Sequence, residues 1–142
     1  MANKYLLDSS AWIEYLSGTA LGEEVKDIIE NQQISTCILS VAEISDKFNK
    51  EKEKFDKSLS FIKNRSAVLD LTLSTCSEAG KLKSERRAVK KEFGLIDAIT
   101  YLTAKANSCI LVTKDGDFEG MENVIILGGK NMKAKNAPYS RL

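Results

Sequence analysis

Apolar residues fall along this chain in two alternating rhythms: short continuous runs, and longer stretches with one apolar face at helical spacing. Tyr5, Leu6 and Leu7 form a run of the first kind and predict a buried strand. Asp8 ends it, Ser9 and Ser10 offer N-cap hydroxyls, and Ala11 to Leu16 opens a helix. Gly18 and Gly22 punctuate the chain, and Glu23 to Gln32 carries a helical stripe of Val25, Ile28 and Ile29. Ile34 to Leu39 is apolar and partly β-branched, a second strand. Ser40 then starts a helix with Val41, Ile44 and Phe48 inward, and Glu51 to Asn64 repeats the pattern with Phe55, Leu59 and Ile62. Ala67 to Leu71 is a third strand. Ser74 to Lys91 is a longer helix entered through Thr75 and Glu78, which fit a capping box, and Gly94 ends it. Leu95 to Asn107 is helical again, with Ile99, Leu102 and Ala106 inward. Cys109 to Thr113 is a strand, Lys114 to Asp117 a turn, and Asn123 to Leu127 the last strand.

Strands that alternate with helices, without Asn-Gly hairpin signals, predict an α/β fold whose mainly parallel sheet is flanked by helices. At 142 residues the chain fits one domain able to bury a core. It shows no internal repeat and no Pro-, Gly- or Ser-rich linker, so residues 1–142 read as a single domain. The residues from about 128 onward are polar and basic and read as a mobile tail. A hydrophobic share of 43% without any run long enough for a bilayer predicts a protein of the cytosol rather than the membrane. The start, M-A-N-K-Y-L-L-D, lacks a signal-peptide core.

Composition narrows the chemistry. Histidine is absent, which excludes Ser-His-Asp and Cys-His catalysis and His-ligated zinc. Cys37, Cys76 and Cys109 are widely spaced and odd in number, which argues against a disulfide framework or zinc site; Cys37 and Cys109 fall in predicted strands and read as small buried hydrophobes. The remaining agents are carboxylates, lysines, hydroxyls and a metal. With a net charge of +1 the global field recruits no partner, so the local distribution matters more.

Acids meet apolar elements at turns in four places. Asp8 follows the first strand, Glu43 lies in the first turn of S-V-A-E-I, Asp97 interrupts G-L-I-D-A-I-T, and Asp115 and Asp117 sit in T-K-D-G-D-F. Each has an ordinary structural explanation: a turn start for Asp8, a capping box with Ser40 for Glu43, an N-cap for Asp97 with Ile96 stapled onto Tyr101, and a turn dipeptide for Asp115-Gly116. Together they suggest more. In a parallel sheet Asp8 and Asp115 leave strands at the same edge, and Asp97 and Glu43 begin helices able to line it. Several carboxylates gathered there repel one another unless a cation such as Mg²⁺ or Mn²⁺ neutralises them.

The ordered set L-L-D-S-S-A-W-I-E-Y-L, S-V-A-E-I, L-I-D-A-I-T and V-T-K-D-G-D-F resembles PIN-domain ribonucleases, and most of all the VapC-type toxins of toxin–antitoxin pairs. The resemblance implies a three-layer α/β/α sandwich around a parallel sheet. It also implies a Mg²⁺- or Mn²⁺-dependent endoribonuclease acting on single-stranded RNA, with Asp8, Glu43 and Asp97 as catalytic, metal-binding acids. The fourth acid is Asp115 or Asp117, with Asp115 ranked first because it is nearer the strand end. Ser10 and Thr113 match small polar positions that support those acids. A cognate antitoxin and a homodimer are implied partners.

RNA must also be held, and Lys81, Lys83, Arg86, Arg87, Lys90 and Lys91 are placed to contact phosphates, unless they form only a solvated face balanced by Glu85 and Glu92. Trp12 reads as core rather than as a base-stacking platform, because it stands at helical spacing beside Ile13 and Leu16. Three other readings compete: a housekeeping PIN nuclease of RNA processing, a non-catalytic binding domain of the same fold, and an aspartyl-phosphate protein built on Asp8. Ser9 and Ser10 after Asp8 count against the last, which needs a second acid close by.

Overall fold

The computed structural model describes residues 2–129, so the basic stretch from Lys130 to Arg141 lies outside the described residues. Five strands, β1 (Lys4–Leu7), β2 (Gln33–Cys37), β3 (Ala67–Leu69), β4 (Cys109–Thr113) and β5 (Val124–Ile126), form one sheet in the order β3-β2-β1-β4-β5. Every pairing is parallel. Among the described residues six helices cover it: α1 (Ser9–Leu16), α2 (Ala20–Asn31), α3 (Ile38–Lys50), α4 (Asp56–Arg65), α5 (Leu73–Arg86) and α6 (Leu95–Ala106). The strand order reverses between β1 and β4, and the crevice beyond their carboxyl ends is where an open parallel sheet exposes main-chain ends and loops to a ligand.

Alternation along the strands sorts the core into two layers. Tyr5, Leu7 and Val112 face α1 to α4 with Trp12, Ile28, Ile29, Ile44 and Ile62. Leu6, Leu111 and Cys109 face α5 and α6 with Ala79, Ala98, Phe93 and Phe118. The result is an α/β/α sandwich. Cys37 and Cys109 are buried, as their strand positions predict. No helix among the described residues is long and apolar enough to cross a membrane.

Trp12 is fully buried and pinned by a chain of hydrogen bonds. Its indole Nε1 donates to Thr36 Oγ1 at 3.0 Å, the Thr36 hydroxyl donates to Ser66 Oγ at 2.8 Å, and Ser66 donates to the Ile62 carbonyl at 2.7 Å. That order follows because the Ser66 proton is already committed. The chain links α1 to β2 and the end of α4, and it places Trp12 in the core rather than at a ligand surface.

Several boundaries differ from the sequence expectation, each for a local reason. The second strand stops at Cys37 and α3 begins at Ile38, because pairing ends there on both sides, at Leu7–Thr36 and Cys37–Leu69. Ser40 is therefore inside the helix, buried, and not the cap of a Ser40–Glu43 box. The helix expected over Glu51 to Asn64 begins only at Asp56. Residues 51–55 turn the chain through Lys52, at φ 57°, and fold Phe55 back onto Phe48 with ring centroids 5.2 Å apart. Thr72, accepting from Thr75 N–H at 3.1 Å, caps α5 one turn earlier than the expected Thr75–Glu78 box. That helix stops at Arg86 rather than Lys91, and the chain leaves it through turns in which Val89 and Lys90 N–H both reach the Arg86 carbonyl.

Candidate functional site

The site begins where β1 ends. Asp8, not Ser9 or Ser10, is the N-cap of α1: its Oδ1 accepts from Ala11 N–H at 3.0 Å and from Ser10 Oγ at 2.6 Å. Its Oδ2 accepts from the Thr113 hydroxyl, which leaves the end of β4 next door. Both hydroxyls are used twice. Ser10 Oγ accepts from Lys114 N–H at 2.9 Å, and Thr113 Oγ1 accepts from Asp115 N–H at 3.0 Å. Asp8 is thus tied through two side chains to the loop that carries Asp115. Its carboxylate is only 8% exposed, and burial pushes its pKa up to about 6, against the lowering effect of these hydrogen bonds.

Asp97 enters from the other helical layer. It occupies the third position of α6, not the N-cap, and its Oδ2 takes the N–H of Gly94 at 2.7 Å. Ile96, expected to staple onto Tyr101, is exposed. Burial first, then repulsion from Asp115, Glu43 and Asp117, raises Asp97 to about 6. Glu43, half-buried on α3, is raised by burial, is hydrogen-bonded to Ser9, and adds its charge to both Asp8 and Asp97.

Asp115 caps a 3-10 turn, Gly116–Phe118, accepting from Asp117 N–H at 2.8 Å. Carboxylate oxygens of Asp97, Asp115 and Asp117 lie within 4.8 Å of one another. The loop therefore delivers both of its acids to this cluster. Asp117 is raised by burial and by Asp115. Asp8 and Glu43 adjoin the triad rather than belong to it: Asp8 through Thr113 and the Asp115 amide, Glu43 through its repulsion of Asp97.

Several members of the basic stretch have partners within the protein. Lys81 stands 4.0 Å from Glu85 and Lys90 stands 4.0 Å from Glu119. Arg86 and Arg87 direct their guanidinium donors to main-chain carbonyls of Asp117, Glu119 and Phe93. Lys83, half-buried, and Lys91, exposed, complete the set. One ion pair at the rim escaped sequence reading. Lys114 Nζ meets Glu14 Oε2 at 3.1 Å, and Thr19 Oγ1 holds the other Glu14 oxygen at 2.7 Å. The usable signal was that Glu14 lies one helical turn after Ser10, on the face that α1 turns toward β4.

A family model described as the PIN domain matches residues 5–123. The chain belongs to the PIN domain family. Among curated proteins, none matches its sequence significantly. Solved structures share the PIN fold at low identity. A toxin–antitoxin complex from Klebsiella pneumoniae aligns with a TM-score of 0.68 and 20% identity, over 85% of this chain and 95% of that one. VapBC2 from Rickettsia felis, bound to a DNA fragment from their promoter, gives 0.64 and 20%, over 87% and 96%. VapC20 from Mycobacterium tuberculosis, described as a sarcin-ricin loop cleaving toxin, gives 0.64 and 16%, over 83% and 95%. In this PIN chain the acids of the loop after β4 and of the start of α6 meet, and Asp8 at the end of β1 adjoins them through Thr113.

Proposed function

We propose that this protein is a Mg²⁺- or Mn²⁺-dependent endoribonuclease that cleaves single-stranded RNA, and that it is the VapC-type toxin of a toxin–antitoxin pair. The observation that carries the reading is the convergence of Asp97, Asp115 and Asp117, with Asp8 and Glu43 adjoining, from segments far apart in the chain. Burial raises Asp8, Glu43, Asp97 and Asp117, and neighbouring acids add to the effect at Asp8, Asp97 and Asp117, a cost that a divalent cation relieves. The donor set fits a hard ion: it is all oxygen, and the chain contains no histidine.

Asp97, Asp115 and Asp117 would hold the ion, with Asp8 and Glu43 completing its surroundings. A bound Mg²⁺ or Mn²⁺ supplies an activated water and neutralises charge on the phosphate under attack. The chain's own groups do the rest. Asp8 is held in one orientation, with both oxygens bonded by Ser10, Ala11 and Thr113. Gly94 N–H holds one oxygen of Asp97 and so restrains its carboxylate. Thr113 and Ser10 couple the two rims through Asp8, so the loop bearing Asp115 and the start of α1 move as one body. Lys83 and Lys91 remain as contacts for RNA phosphates.

Support for the toxin assignment comes from the PIN family match together with the fold shared with VapBC assemblies. The partners in this reading are an RNA substrate, a cognate antitoxin and a second copy of the chain, in the cytoplasm. The test is cleavage of a structured RNA in Mg²⁺, Mn²⁺ or EDTA by the wild type, Asp8→Asn and Asp97→Asn. Wild-type cleavage should require the metal, and both substitutions should abolish it. Undiminished cleavage by the variants, or none in any metal, overturns the reading.

A further inference from the structure

The basic run at the end of α5 looks, in sequence, like a surface for phosphates. The structure uses two of its members otherwise. Arg86 directs Nε and Nη2 to the carbonyl of Asp117, at 3.1 and 2.9 Å, and Nη2 also reaches the carbonyl of Glu119. Arg87 donates through Nε to the carbonyl of Phe93 at 2.8 Å. These acceptors belong to the two segments that carry the acid triad. Asp117 is a member of the triad, in the turn capped by Asp115. Phe93 immediately precedes Gly94, whose N–H holds Asp97.

The same two segments also meet through their apolar side chains. Phe93 and Phe118 are fully buried and pack edge to face, with ring centroids 5.4 Å apart. That contact sets how closely the segments approach but leaves each free to slide along the other. Adjacent guanidinium groups on one helix end remove that freedom. A guanidinium presents its donors in a rigid plane, so Arg86 fixes both the position and the orientation of the carbonyls it bridges, and one ammonium group does not reproduce that fork.

We propose that Arg86 and Arg87 are positioning residues that set the geometry between Asp97 and the Asp115–Asp117 pair. Arg86 holds the turn after β4, and Arg87 holds the entry to α6. Neither is a phosphate contact. The functional meaning of this clamp rests on the metal-site reading above, whereas its structural content does not.

The test compares Arg86→Lys, Arg86→Gln, Arg87→Lys and Arg87→Gln with the wild type in three measurements. The first is amide hydrogen exchange in metal-free protein. Arg86 variants should exchange about tenfold faster at Phe118 and Glu119, and Arg87 variants at Gly94 to Ala98, with the sheet unaffected. The second is Mn²⁺ affinity by calorimetry, which should fall about 10- to 100-fold, with lysine restoring little of it. The third is RNA binding in EDTA against salt concentration, whose slope should not change. Unaltered exchange and Mn²⁺ affinity, with a salt slope reduced by about one per arginine, would assign phosphate contacts and overturn the proposal. Full recovery in the lysine variants would overturn it too, since charge alone would then suffice. If the glutamine variants fail to fold, the lysine variants, which keep stem and charge, still decide. A wild type that binds no Mn²⁺ defeats the metal-site reading, and the exchange data then decide the clamp alone.

Discussion

Asp8→Asn should make the metal-free protein more stable at pH 8, not less. The carboxylate is nearly sealed from water, and burial holds its pKa at about 6, against 3.8 for a solvated aspartate. An acid raised in the native state costs stability wherever the unfolded chain is ionised more readily than the folded one. That cost is complete above the folded value and vanishes below the unfolded value. The gap between the two corresponds to about 3 kcal/mol at pH 8, roughly half that at pH 5, and little at pH 4. Asparagine keeps an oxygen for Ser10 and Ala11 and can donate its amide to Thr113, so the local bonding survives. The variant should gain about 1–3 kcal/mol at pH 8 in EDTA, or about 3–10 °C in melting temperature for a chain this long. The gain should shrink steadily toward pH 4. Urea and thermal unfolding at pH 8, 6, 5 and 4 would measure it. A loss of stability at pH 8, or a change that is the same at every pH, would refute the reasoning. It would mean that Asp8 is an ordinary charged cap.

Other substitutions test the frame that holds the site. Gly22→Ala should destabilise by about 1–3 kcal/mol or more by thermal melting, because its Cβ would lie 2.3 Å from the Glu14 carbonyl oxygen, where only backbone movement makes room. Thr36→Val should cost about 1–3 kcal/mol in urea unfolding, since it leaves the buried Trp12 N–H without its acceptor and preserves shape. Lys114→Ala should change stability by less than about 1 kcal/mol despite the 3.1 Å contact, because the lysine side chain is 49% exposed. A loss well above that would show that the Glu14 pair fixes the loop on its own.

The part of this architecture most legible in the sequence was the start. Three apolar residues closed by Asp8 could hardly be read except as a strand delivering an acid to a turn, and the acids after the fourth strand followed the same logic. The second strand was harder. Ile34 to Leu39, I-S-T-C-I-L, reads as one strand, and nothing inside it says that Ile38 already belongs to a helix; the partner strands decide by ending. The Glu51–Asn64 helix was drawn a turn too early because the charged run Glu51 to Lys54 suits a helix as well as the turn through Lys52 that precedes α4. Side chains paired across the whole chain were beyond reach. Lys114 with Glu14, and Thr113 with Asp8, meet only because β4 lies beside β1, and sheet order is a property of the fold. The carbonyl contacts of Arg86 and Arg87 were out of reach for a different reason: a basic run has the same composition whether it faces water, phosphate or its own backbone.

The central claim is that acids brought from distant segments share one divalent cation. Crystals grown with Mn²⁺, with data collected at the manganese absorption edge, test it most directly. The account predicts an anomalous peak within about 2.0–2.5 Å of carboxylate oxygens of Asp97 and at least one of Asp115 and Asp117, and no such peak in Asp97→Asn. A fully occupied lattice of wild-type molecules with no peak at that rim, or with manganese bound only elsewhere, would contradict it.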